Sequence, residues 1–345
     1  MGDLAYAGFK YRIYPNREQE KKIIQTAGCC RFVYNHFLEE ALAVYEKKEY
    51  FPFAKFHIQA LPALMEQNPF LREVDNDALV SAIYHLIDAE ERYKKEQSGM
   101  PRKKRRGHGG SFKVKGPRVN GGYIFVPGYG DIKYAESRPP KGNIRFGTIS
   151  VTPTGKFYIS LTCSFFPREK QKTGAAVGVD LGIKEFAVTS DGDNFPNEHA
   201  YSRELKKLRR LQRALSRKLE AGQDALPGTV KGSNLTENRL RIARLHEKIK
   251  NQMHDSVEKA TTKLVEQYDI ICIENIDVSE IKENRDYSRQ MMDVLFYEFR
   301  RELEYKAMWY GKKVVPVGEL AIKPHPATVE GAKRLLEQGL KKLNR

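Results

Sequence analysis

The chain has 345 residues and carries 60 Lys+Arg against 44 Asp+Glu, a net charge of +16. With 40% hydrophobic and 30% charged residues it reads as a folded chain of two or three domains, not a disordered one. It holds no apolar run of about 18 residues and no CxxC pair among its four cysteines, which excludes a membrane span and a disulfide scaffold. Residues 1–10 lack a secretory stretch, so the expected location is cytoplasmic, and the excess of base predicts a polyanionic partner.

An opening strand over Ala7–Tyr14 alternates in polarity and stops at Pro15. Asn16 followed by Gln19 predicts a capped helix, with Ile23, Ile24, Ala27, Phe32, Val33 and Phe37 in a helical stripe that continues through Leu42 and Tyr45. A second helix is expected over Ala78–Glu96. Residues 102–122 are basic and glycine-rich and are expected to be flexible in the free protein. Strands follow over Tyr123–Pro127, Asn143–Val151 and Lys156–Phe165, with a turn at Thr154-Gly155. After a polar linker, Ala175–Asp180 reads as a buried strand and Phe186–Ser190 as its hairpin partner, closed at Asp191-Gly192. Two long helices carry apolar residues at helical spacing (Leu205, Leu208, Leu211, Leu215, Leu219; Ile242, Leu245, Ile249, Met253, Val257, Ala260, Leu264), forming a hairpin with basic outer faces. Tyr268–Glu274 is another strand, Leu295–Ala307 a helix, Lys312–Val317 a last strand and Val329–Leu343 a last helix.

Asp180 and Glu274 each end a strongly apolar strand. A carboxylate there must be paired or bind a cation, and Mg²⁺ prefers such hard oxygen ligands. The histidines have no metal-ligand spacing, and no Walker loop, GxSxG elbow or HExxH motif occurs. Three basic segments, residues 101–115, 203–218 and 333–345, have the character of phosphate-contacting surfaces.

Several motifs in order resemble TnpB, the transposon-encoded RNA-guided nucleases related to type V CRISPR effectors. Tyr11-Arg-Ile-Tyr-Pro15, Glu18-Gln19 and Cys29-Cys-Arg-Phe-Val-Tyr-Asn35 resemble its N-terminal signature. Gly178-Val-Asp-Leu-Gly-Ile183 resembles the first RuvC motif, and Ile273-Glu-Asn275 the second. Phe299–Val315 resembles the helix and strand that precede the family's zinc ribbon.

The resemblance implies an α+β multidomain fold. A wedge β-barrel would comprise residues 1–15 and 110–170, with a helical recognition domain and basic loop inserted at 16–109. An RNase H-like (RuvC) α/β domain would occupy 174–345, with a helical-hairpin insertion at about 200–262 and a degenerate end at 318–345. The implied partners are an omega-like guide RNA and double-stranded target DNA with a short flanking motif, bound by a monomer within the ribonucleoprotein and nucleoid-associated on DNA. The expected nucleic-acid contacts are Lys10, Arg12, Arg31, Tyr34, Asn35, Lys103, Lys104, Arg105, Arg106, Lys113, Lys115, Arg209, Arg210, Arg213 and Arg217.

The sequence departs from the family at its end. No cysteine follows Cys272, and only Gly318–Ala327 separates the last strand from the last helix, too short for a ribbon of about 23–28 residues. The expectation is therefore no zinc ribbon and no zinc. Counting back from Gly339 places Thr328 at the third RuvC aspartate and Glu330 at the following asparagine. On this reading no catalytic set is intact. Asp180 and Glu274 are vestigial, able to hold one Mg²⁺ that binding does not require. The chain is then expected not to be an enzyme, and to resemble the nuclease-dead, TnpB-derived repressors called TldR, which act by guide-directed promoter occupancy. The alternative is an active Mg²⁺-dependent RNA-guided endonuclease with a substitute third carboxylate, Glu330, Asp293 or another acid. A helix-turn-helix regulator without RNA is disfavoured, because Cys29–Asn35 holds no clear turn.

Overall fold

Strict alternation of buried and exposed residues from Ala5 to Tyr14 makes that segment a one-sided strand, β1. The structure is a computed structural model that describes residues 4–48, 50–51, 54–107, 109–167, 169–223, 232–275, 294–318 and 326–343. It divides into two compact units, Met1–Phe166 and Pro167–Arg345.

In the first unit, helix α1 spans Arg17–Lys48. Its start is the reciprocal capping box expected from the sequence. Gln19 N–H donates to Asn16 Oδ1 at 2.9 Å, and Asn16 N–H donates to Gln19 Oε1 at 2.9 Å. Helix α2 (Ala54–Gln67) and a 3₁₀ turn (Pro69–Glu73) follow, then α3 over Asn76–Lys94, whose N-cap is Asp75. Helix α2 is not legible in the sequence pattern, because Pro62 interrupts it.

Strands β2 (Gly110–Lys115), β3 (Arg118–Asn120), β4 (Tyr123–Val126), β5 (Gly130–Tyr134), β6 (Asn143–Val151) and β7 (Phe157–Phe165) complete a seven-stranded sheet of order β2-β6-β7-β1-β5-β4-β3. No pairing among the described residues closes it. Phe112, Val114, Ile149, Ile159, Leu161, Phe9 and Tyr11 fill its inner face.

The expectation that residues 102–122 are flexible is corrected here. Phe112 and Val114 alternate with lysines, are buried, and pair with Ile149 and Gly147 of β6, so burial of two side chains orders a segment that composition marked as a loop. Residues 101–106 are irregular, yet Asn35 ties down the backbone of Lys104 at both its N–H (2.8 Å) and its carbonyl (3.0 Å).

The second unit is built on a five-stranded sheet of order β10-β9-β8-β11-β12. The strands are β8 (Ala176–Leu181), β9 (Glu185–Thr189), β10 (Asn194–Pro196), β11 (Ile270–Glu274) and β12 (Lys313–Val317). β8, β9 and β10 run antiparallel in sequence, whereas β11 is parallel to both β8 and β12. Helices α4 (Ala200–Gln223) and α5 (Gly232–Gln267) form the hairpin, zipped by Leu208, Leu245 and Ile249. Helix α6 spans Phe296–Tyr310, and α7 spans Val329–Leu343.

Alternation along the strands assigns each side chain to a layer. Val177, Val179, Ile271 and Ile273 join Val257, Leu264, Phe299 and Leu303 of α5 and α6 in one core. Cys272, Val315 and Val317 face the other way, onto Leu335, Leu336 and Leu343 of α7. Gly178 belongs to this second face: a Cβ there would lie 1.8 Å from the Ala332 carbonyl oxygen, so only glycine lets α7 lie this close to β8.

Candidate metal centre and nucleic-acid interface

Two residues on from Gly178, Asp180 shares its face of β8, the face covered by α7. Glu274 shares the face of Cys272 on β11 by the same period. Parallel pairing of Ile273 with Val179 brings the next residues on each strand, Glu274 and Asp180, to the same level at the carboxyl ends of the two central strands. Sequence separation thus collapses to one site.

Asp180 is 3% exposed, and Glu274 is half-buried. The first turn of α7 completes the arrangement. Thr328 N–H donates to Asp180 Oδ2 at 2.8 Å, and the Thr328 hydroxyl lies 3.3 Å from the same oxygen. Gly331 N–H donates to Thr328 Oγ1 at 3.0 Å, so Thr328 is the N-cap of α7. A Cβ on Gly331 would sit 2.2 Å from Asp180 Oδ2, which makes glycine necessary at that position too.

The donor chemistry fits a hard divalent cation. Two carboxylates end adjacent parallel strands on one face of an apolar sheet, and the described first turn of α7 meets Asp180 with a hydroxyl and a backbone N–H. Thr328 offers Asp180 a neutral hydroxyl, and Glu330 lies exposed two residues on. Asp293 lies outside the described residues.

A second cluster has metal-ligand character by composition. Single ligand atoms of His254, Glu298 and Glu302 all lie within 4.8 Å of one another. The cation positions there are already taken. Buried Lys306 sits 3.3 Å from Glu302 and 3.2 Å from Glu258, and donates to Thr261 at 2.7 Å, while Arg301 grips Glu298 at 2.6 Å. Burial is the main cause that pushes the Glu302 carboxyl above its ordinary range. This network ties α5 to α6.

The expected nucleic-acid contacts fall into separate groups. Lys10 and Arg12 lie on the outer face of β1, over the Tyr158 ring at 4.5 and 5.4 Å. No sequence motif marks their aromatic neighbours as a surface. Tyr6 and Tyr14 share the same face of β1, and Lys133 is in register between Tyr14 and Tyr123, so exposed aromatic rings and cations share this face of the sheet. Its signal was the residue parity of β1, carried across the register.

Tyr34 is 4% exposed and lies beneath Lys104, whose ammonium is 3.8 Å from the ring centroid. Burial pushes the Tyr34 hydroxyl up and the Lys104 ammonium down from their usual values. Asn35 is engaged by the Lys104 backbone, Lys103 pairs with Glu39, and Lys115 pairs with Asp77 at 2.7 Å. Lys113 stacks over Phe146 at 3.7 Å, Arg31 is half-buried on α1, and Arg105 and Arg106 are exposed. In the second unit, Arg209, Arg210, Arg213 and Arg217 are all exposed on α4, away from its leucine seam.

Comparison with known proteins gives three results. Residues 160–285 match the family model OrfB_IS605, described as "Probable transposase", and residues 1–49 match a model described as a helix-turn-helix domain. Within that span, Ala5–Tyr14 forms one strand and Arg17–Lys48 one continuous 32-residue helix. The chain is 29% identical over 331 residues to "Putative RNA-guided DNA endonuclease InsQ" of Escherichia coli, covering 90% of this chain and 79% of that protein. It is 30% identical over 330 residues to a protein of Streptomyces pristinaespiralis with the same endonuclease description, covering 90% and 76%. In structure, 91% of the chain superposes on 89% of a chain in a Cas12f1–sgRNA–target DNA complex, with a TM-score of 0.50 and 12% identity, a likeness of α+β fold. The expectation that the chain is not an enzyme is overturned by these relatives, whose names describe enzymes along 90% of its length. Among the described residues, no helix is long and apolar enough to cross a membrane.

Proposed function

Because the chain belongs to the TnpB family of transposon-encoded proteins, we propose that it is a divalent-cation-dependent, RNA-guided DNA endonuclease. The observation that carries this reading is the meeting of Asp180 and Glu274 on one face of two adjacent parallel strands. Its substrate is double-stranded DNA beside a short flanking motif. Pairing to the guide RNA reads the sequence, and the protein reads backbone shape and the flanking motif.

Asp180 and Glu274 would hold Mg²⁺. The ion supplies charge neutralisation at a phosphodiester and an activated water. Glu330, in the first turn of α7, serves as the substitute third carboxylate, and Thr328 keeps Asp180 in place. The seven-stranded sheet corresponds to the wedge domain and the five-stranded one to the RuvC domain.

The guide RNA is held by sequence-tolerant contacts. Exposed tyrosines beside Lys10, Arg12 and Lys133 suit base stacking and phosphate neutralisation, and the α4 arginines add a basic stripe. Arg105 and Arg106 contribute backbone contacts.

The test is expression with the native flanking sequence, sequencing of co-purified RNA, and incubation of the ribonucleoprotein with matched DNA and Mg²⁺. The expected result is a discrete RNA and guide-dependent cleavage that Asp180→Ala abolishes. Guide-dependent binding with no cleavage would refute the endonuclease reading, and absence of a discrete RNA would refute guidance.

A further inference from the structure

We propose that Thr328 is a positioning residue for the cation ligand Asp180, acting through a hydrogen-bond relay that begins in the backbone of α7. The inference rests on the metal site proposed above. It adds a role for a hydroxyl that cannot itself supply a carboxylate's charge.

The relay is directional. Gly331 N–H donates into Thr328 Oγ1 at 3.0 Å, which occupies a lone pair of that oxygen. The single hydroxyl proton is then directed to Asp180 Oδ2, 3.3 Å away. The Thr328 N–H adds a second donor to the same oxygen at 2.8 Å. Oδ2 therefore receives two donors from one residue, and the carboxylate plane of a buried acid is set by the helix end. Gly331 makes the approach possible, since a Cβ there would meet both Asp180 Oδ2 (2.2 Å) and Thr328 Oγ1 (2.9 Å). The same hydroxyl thus caps α7 and orients the ligand, so the helix cannot shift without turning Asp180.

Outer partners of this kind fix a metal ligand's orientation, and their loss typically costs about 10–100-fold in metal affinity. Thr328→Val keeps the shape and the backbone N–H but removes the hydroxyl. Thr328→Ser keeps both donors.

The test uses the purified full chain and Mn²⁺, with affinity read by electron paramagnetic resonance and folding by thermal melting. Thr328→Val is expected to bind Mn²⁺ about 10–100-fold more weakly than the wild type, and Thr328→Ser within about threefold. Leu343→Ala is the structural control: it loosens the far end of α7, where Leu343 packs near Cys272 and Val315, without touching Asp180. It should lower the melting temperature and leave the affinity unchanged. If Leu343→Ala weakens Mn²⁺ binding as much as Thr328→Val, or if Thr328→Val binds like the wild type, the positioning role is wrong. If wild type and Asp180→Asn bind Mn²⁺ equally poorly, the metal site itself fails and takes this inference with it.

Discussion

Replacing Gly178 with alanine should displace helix α7 from the sheet. The added Cβ would lie 1.8 Å from the Ala332 carbonyl oxygen and 2.8 Å from both the Ala332 carbonyl carbon and the Leu336 nitrogen. An ordinary carbon–oxygen contact is about 3.3 Å, so α7 must retreat by about 1.5 Å. These are backbone atoms, and no side-chain rotation relieves them. Overpacking of this kind costs about 1–3 kcal/mol, and here the upper end applies because a whole helix must move. For a unit of this size, spanning Pro167–Arg345, 3 kcal/mol corresponds to a fall in melting temperature of about 6–12 °C. The same retreat would stretch the 2.8 Å bond from Thr328 N–H to Asp180 beyond hydrogen-bonding range, so Mn²⁺ affinity should fall together with stability. Gly8→Ala in β1 is the control, because its Cβ would stand an ordinary 3.4 Å from Ser160 Oγ and should shift melting little. Thermal melting by circular dichroism and an Mn²⁺ titration give both readouts. A Gly178→Ala protein that melts within 2 °C of wild type and binds Mn²⁺ normally would refute the packing of α7 on β8.

Two further outcomes are expected. The fourfold variant Arg209→Ala, Arg210→Ala, Arg213→Ala, Arg217→Ala should fold normally, because all four side chains are exposed, and should lower the slope of log affinity for RNA against log salt by about 3, at about 0.7–0.9 per lost phosphate contact. Fluorescence anisotropy at several salt concentrations measures the slope, and an unchanged slope removes α4 from the interface. Glu90 is buried on α3, and burial raises its carboxyl from 4.5 to about 7, with Lys94 opposing and Tyr34 also facing it. The folded state therefore holds a proton that the unfolded chain releases near pH 4.5. Its contribution is complete below pH 4.5 and is lost as pH rises through about 7, a decline of about 1–3 kcal/mol. Urea unfolding between pH 4.5 and 8 should show this decline in wild type and lose it in Glu90→Gln. Equal slopes would mean that Glu90 is ionised in the fold.

Local sequence signals determined much of this protein. Asn16 and Gln19 announced a capping box because its bonds span three residues, and the residue parity of β1 and β8 set which side chains face inward because a strand repeats every two. The TnpB resemblance was legible in short motifs, and the strand-end acids Asp180 and Glu274 stood out because charge is costly beside isoleucine and valine. Short-range pattern failed where burial depends on distant partners. Composition marked residues 110–115 as loop, yet Phe112 and Val114 find their partners on β6 more than 30 residues away. The aromatic surface around Lys133 exists only through register between β1, β5 and β4. The same holds for the site. The sequence alone placed a threonine where an aspartate was expected and counted it as a loss. Only the tertiary structure, by laying α7 on β8 through Gly178 and Gly331, turned that threonine toward Asp180, because contacts between residues 148 positions apart are set by packing and not by spacing.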